Sequence, residues 1–192
     1  MDIHHIVLIR EGDSLMTKAH TLLGVAAAAS LAAAASAEID LAFENFVAAG
    51  ANFSLTDENA VAGTLDFANG DFVMNSGENF TWADDLCVMI ANEDLSDLHV
   101  QIGGYSDFGA TNRFVWEFGA SGDPGTAAGG NIDTGGIDCT GYYVWIGNGY
   151  ASGGNGDWSG AIQLGGSIDY VPAPGALALL GLGGLVARRR RA

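Results

Sequence analysis

From Glu38 to Tyr170 the chain is interrupted every few residues by Gly, Asn, Asp or Ser, so its segments are too short for packed helices and suit strands. The candidate strands are Ala60–Ala68, Leu86–Ala91, Leu98–Gly103, Arg113–Phe118, Tyr142–Gly147 and Trp158–Gly165. Alternation supports them. Val100 and Ile102 point one way with Gln101 opposite, and Phe114, Trp116 and Phe118 share a face opposite Val115 and Glu117, so each strand is expected to have one buried and one wet side. A period-two apolar face has to pack on a second sheet. The fold class is therefore all-β, an antiparallel β-sandwich or jelly roll. Gly119–Gly136 is expected to be the longest loop and Gly147–Gly156 another.

A chain of 192 residues holds one such domain plus flanking segments. Residues 1–15 fit neither a leader nor a structural element and are read as an upstream extension, with translation starting at Met16. Residues 16–37 read as a signal peptide: Lys18 supplies the positive start, Thr21–Ala35 the apolar helix, and Ala35-Ser36-Ala37 the small-residue site cut after Ala37. An uncleaved membrane helix is the alternative. Residues 38–170 form the expected mature domain.

Residues 171–192 have three parts in a meaningful order: the break Val171-Pro172-Ala173-Pro174, an apolar run Gly175–Ala187, and Arg188, Arg189, Arg190 and Arg191. As a helix the apolar run reaches about 20 Å, short of a hydrocarbon core of roughly 30 Å, so it suits a transient anchor with its Arg cluster held in the cytoplasm. This order resembles the PEP-CTERM family of bacterial sorting tails, in which a Pro-Glu-Pro motif, a short apolar helix and an Arg cluster are recognised by the membrane protease exosortase. Ala173 stands where the family has Glu. The resemblance implies an exosortase-like protease as partner and cleavage near Pro172–Pro174. It also implies brief association with the inner membrane of a Gram-negative bacterium, then a place on the cell surface or in the medium with exopolysaccharide and biofilm.

Between the two flanks the charge is strongly one-sided: residues 38–170 carry twenty Asp and Glu against the single cation Arg113, a formal charge of −19. Such a domain repels phosphate backbones, which excludes nucleic acid as a partner, and suits saline or extracellular water. Cys87 and Cys139 both fall in the exported region, where a disulfide closing 51 intervening residues competes with two separate buried thiols.

Catalytic groups are scarce. His99 is the one imidazole of residues 38–170, placed by Leu98 and Val100 on a strand and expected on its solvent side beside Gln101, and there is no Gly-x-Ser-x-Gly elbow and no Lys. The domain is read as non-enzymatic, with no cofactor. Calcium is the one ion its chemistry favours, through Asp57-Glu58, Asp84-Asp85 and Glu93-Asp94, which supply hard oxygens but equally make solvated turns. Paired carboxylates would also serve a glycoside hydrolase if a sugar cleft held two at catalytic separation. A carbohydrate-binding role would use aromatic side chains near Gly-rich segments, with Tyr105, Phe108, Tyr150 and Trp158 as candidates and core packing as their other fate. The segments Phe80-Thr81-Trp82-Ala83-Asp84-Asp85-Leu86-Cys87-Val88-Met89-Ile90 and Gly156-Asp157-Trp158-Ser159-Gly160-Ala161-Ile162-Gln163-Leu164 look like strands of P-domains and related galactose-binding-like jelly rolls. That likeness implies a stabilising or adhesive β module. Its leading role is structural or adhesive in an extracellular matrix, with a calcium-assisted carbohydrate-binding module as the alternative.

Overall fold

The structure is a computed structural model that describes residues 37–171; the expected upstream extension, Ala35 of the signal site, Pro172, Ala173, Pro174 and Arg188–Arg191 lie outside them. The described chain is all-β. It has eleven strands: β1 (Ala37–Ala48), β2 (Phe53–Leu55), β3 (Val61–Ala62), β4 (Thr64–Gly77), β5 (Leu86–Ala91), β6 (Leu98–Ile102), β7 (Asn112–Phe114), β8 (Ala127–Asp138), β9 (Tyr143–Asn148), β10 (Gly156–Gly166) and β11 (Asp169–Tyr170). A single 3-10 turn, Ala83–Asp85, precedes β5. Among the described residues no helix is long and apolar enough to cross a membrane.

Strands β1-β10-β4-β8 form a four-stranded antiparallel sheet, and β2-β9-β5-β6-β7 a five-stranded one whose last pair, β6 and β7, is parallel. One apolar core draws on both sheets. Ile39, Phe72, Ile132, Trp158, Ile162 and Leu164 come from the first, and Leu86, Val88, Ile90, Val100, Ile102, Val144 and Ile146 from the second. Alternation along β5 explains why Leu86, Val88 and Ile90 belong to this core while Cys87 and Met89 face the other way.

The expected wet side of the five-stranded sheet is in fact covered. Gln101 is fully buried, because the chain after β6 folds back over that face. Gln101 Nε2 donates to the carbonyls of Gly103 (3.1 Å) and Ser106 (2.7 Å), its Oε1 accepts the Phe108 amide, and Phe108 packs edge-on against Phe53. A polar residue at a strand position is hidden here by satisfying it with the loop's own backbone.

Three segmental expectations are corrected. The stretch read as the longest loop, Gly119–Gly136, contributes most of β8, a twelve-residue strand paired to β4. Gly129 sits at φ 126°, and a Cβ there would run into the carbonyl oxygen of Gly70 across the pair, so this glycine permits the strand instead of breaking it. The expected strand Arg113–Phe118 ends at Phe114. Beyond it Trp116 enters the core and donates Nε1–H to Leu86 O at 2.7 Å, leaving Val115 and Phe118 exposed. Ala60–Ala68 is split at Gly63, whose φ of 102° starts β4 anew.

The cysteines are separate and buried. Cys87 lies beside Gly147 of β9, whereas Cys139 accepts the Tyr142 amide, next to the Tyr143 that pairs with Ala91 at the far end of β5. Four strand steps, about 13 Å, separate Cys87 from Ala91 along β5, which sets the two thiols toward opposite ends of that strand.

Candidate functional site

Three loops meet at one end of the five-stranded sheet: residues 78–85 leading into β5, 103–106 leaving β6, and 149–154 leaving β9. Their backbones interlock. Gly149 N–H donates to Asp85 O (2.7 Å), Gly104 N–H to Asp84 O (3.0 Å) and Ser106 N–H to Gly149 O (2.9 Å). Gly104 and Gly149 approach so closely that a Cβ on Gly104 would stand 2.8 Å from the Gly149 Cα, so only glycine allows this crossing.

On that platform stands a cleft of about 230 Å³ lined by Phe80, Trp82, Asp85, Tyr105 and Tyr150. Tyr105 and Tyr150 meet edge to face with centroids 5.6 Å apart. A second cavity of about 420 Å³ shares Trp82 and Tyr105 and adds Asp84, Arg113 and Val115. The two are continuous through those shared aromatics. Phe80 is 84 % exposed, Tyr105 73 % and Trp82 43 %. Phe80 also follows Asn79 in the left-handed region, at φ 65° and 48°. A bulky side chain there costs about 1–3 kcal/mol, and exposure forfeits the burial that would repay a phenyl ring.

Asp85 fastens the walls together. Its Oδ2 accepts the Trp82 amide (2.7 Å) and its Oδ1 the Tyr105 amide (3.1 Å), so one carboxylate holds the backbone of both facing aromatics. Burial pushes its pKa up to about 6 against the opposing pull of those two amides, and the neighbouring Asp84 charge adds to the rise. Asp84 is raised too, again by burial. Arg113 donates to the Gly104 and Tyr105 carbonyls at 3.1 and 3.0 Å, which secures the loop from its other side. Beneath, Trp158 Nε1–H donates to Ala83 O (3.0 Å) from within the core.

The aromatic candidates therefore divide. Tyr105 and Tyr150 line the cleft, Phe108 covers the sheet, and Trp158 is a fully buried support. Phe80 and Trp82 complete the site; their signal was the unbroken Phe-Thr-Trp preceding two acids in a chain otherwise punctuated by glycine. His99, near the start of β6 and so at the other end of that strand from the cleft loop, stacks on Tyr142 with centroids 4.5 Å apart, and its Nε2 bonds Asp138 O.

The acidic pairs remain local turns. Asp57 Oδ1 accepts the amide and side chain of Asn59 while Glu58 is exposed, and Asp94 Oδ1 accepts the amide and hydroxyl of Ser96 beside exposed Glu93. Asp84 and Asp85 belong to the cleft. Among the described residues no three Asp, Glu, His or Cys side chains gather in an arrangement able to hold a metal ion. No protein-family model matches the chain, and no curated protein or solved structure matches it either.

Proposed function

We propose that this chain is a non-enzymatic, exported adhesive module of the bacterial cell surface or extracellular matrix that holds exopolysaccharide in its aromatic cleft. The single observation that carries the reading is Phe80, a phenyl ring turned to water from a left-handed backbone beside exposed Trp82 and Tyr105. Exposed aromatic rings suit the apolar faces of sugar rings, and two cavities continuous through shared aromatics suit a polymer. Asp85 supports the non-catalytic part of the reading, because both its oxygens are occupied in holding backbone amides.

In the same reading the two sheets pack as a β-sandwich of jelly-roll kind, delivered by the signal peptide and sorted through the PEP-CTERM-like tail by an exosortase-like protease. The strand β1 opens at Ala37, so the cut expected after Ala37 falls at its first residue and leaves the pairing from Glu38 to Gly165 onward. Affinity electrophoresis through gels carrying soluble polysaccharides tests the binding. Retardation by at least one polysaccharide that is lost in Trp82→Ala is expected, and equal mobility in every gel would remove the adhesive role. Removing residues 172–192 leaves the Val171 amide's bond to Ala60 in place and is expected to shift the protein between membrane and medium; unchanged fractionation would count against the sorting tail.

A further inference from the structure

Charge decides which polysaccharide suits the cleft. Phe80, Trp82, Tyr105 and Tyr150 line a space that Asp85 also lines, and the adjoining cavity is lined by both Asp84 and Arg113. Aromatic faces carry negative potential and attract cations, most strongly where water is partly excluded. The one cation of residues 38–170, Arg113, directs two hydrogen bonds into the Gly104 and Tyr105 carbonyls, and its charge is set against twenty acids in the domain. Uronate or sulfate groups would approach against this field, and a neutral glycan would leave it unused. An ammonium group fits both the rings and the charge.

We propose that the cleft recognises the free ammonium groups of an amino-sugar polymer, a poly-glucosamine type chain, with the rings caging the cation and the carboxylates supplying the opposite charge. The inference rests on the saccharide reading of the same cleft and narrows it to one chemical class. The two cavities share Trp82 and Tyr105, a continuity that suits a polymer over a single sugar.

The experiment titrates the full chain with three oligosaccharides of equal length: glucosamine, its N-acetylated form and its permanently charged N,N,N-trimethyl form, followed by tryptophan fluorescence and calorimetry. The glucosamine and trimethyl forms are expected to bind at least about tenfold more tightly than the acetylated one. A polyanion attracts any polycation diffusely, so the deciding arm uses Phe80→Ala, Trp82→Ala and Tyr105→Ala, which leave the charge unchanged. Phe80 and Tyr105 are largely exposed, so their removal leaves the core intact. Loss of at least about tenfold in these variants supports the cage. Equal binding by variants and parent would reduce the attraction to diffuse charge and overturn the proposal. Acetylated oligomer bound as tightly as the amine, with the same dependence on Trp82, would overturn the ammonium claim while leaving the saccharide cleft standing. Binding of none of the three would overturn the claim, and the polysaccharide gels then decide whether the broader adhesive role survives.

Discussion

At the scale of single residues, Asp85 shows how a carboxylate can be both a fastening and a liability. Its folded pKa of about 6 lies above the ordinary value of 3.8, chiefly through burial. The native state therefore holds this proton more tightly than the unfolded chain does, so this group's contribution to stability is greatest below about pH 4 and is lost as pH rises through 6. The other acids titrate in the same range, so the informative quantity is the difference between parent and Asp85→Asn. Urea unfolding of the parent between pH 4 and 7 is expected to show a steeper fall in stability with pH than Asp85→Asn shows. Parallel curves would mean that Asp85 is solvated. Asn has one acceptor where Asp has two, so the variant also frees either the Trp82 or the Tyr105 amide and is expected to weaken ligand binding.

Two tryptophans offer a second contrast at this scale. Trp158 is fully buried and its indole N–H meets Ala83 O, whereas the buried Nε1 of Trp145 has no hydrogen-bond partner. Trp158→Phe strands a carbonyl and opens space beneath the cleft, so a loss of about 2–3 kcal/mol is expected from urea midpoints. Trp145→Phe removes an unsatisfied donor at the cost of some apolar area, and a change within about 1 kcal/mol is expected. Equal losses would show that the Ala83 bond contributes nothing.

At the scale of elements, what was legible in the sequence follows from how strongly side chains mark a strand. Leu86–Ala91 is found at its expected limits because six apolar residues in a row between turn formers can be little else. The segment Ala37–Ala48 carried the same evidence, since Ile39, Leu41 and Phe43 alternate with Asp40 and Glu44, but the neighbouring alanines masked it. Strand β8 was illegible for a deeper reason: its glycines signal a loop, and only the closeness of the β4 backbone at Gly70 explains why glycine is needed there. The cleft was half legible. Tyr105 and Tyr150 are legible because they flank glycines, but nothing local shows that a carboxylate at 85 joins residues 82 and 105. Gly129 and Gly135 turn this account into a test. Both lie on β8 at positive φ, 126° and 73°, but a Cβ at 135 meets open space. Gly135→Ala is expected to cost about 1 kcal/mol from backbone strain alone, and Gly129→Ala substantially more, because it also collides with Gly70. Similar unfolding midpoints for the two would remove the steric explanation of β8.

At the scale of the whole molecule, twenty acids against one Arg in residues 38–170 make self-repulsion the dominant long-range electrostatic effect. The local devices that tame it are short: Asp94 and Asp138 are held below the usual carboxylate range mainly by the hydroxyls of Ser96 and Thr140, which satisfy each charge without neutralising its field. Added salt should then stabilise the fold. Raising NaCl from about 10 to 150 mM shortens the screening length from roughly 30 to 8 Å, so the urea midpoint is expected to rise over that range and to flatten above it. A midpoint that falls instead would mean that attractive pairs outweigh repulsion. Calcium separates screening from binding, since the acidic pairs at 57–58 and 93–94 are closed into their own turns by Asn59 and Ser96. Calcium at matched ionic strength is expected to act through screening, with no plateau below millimolar concentration. A saturable gain in that range would require an ion cage that brings these carboxylates together, and would favour the calcium-assisted carbohydrate-binding module. The same titration run with the glucosamine oligomer present links the two scales. Salt that stabilises the free domain should weaken its hold on an ammonium-bearing ligand, so the two dependences are expected to have opposite sign, as attraction and self-repulsion arise from the same carboxylates.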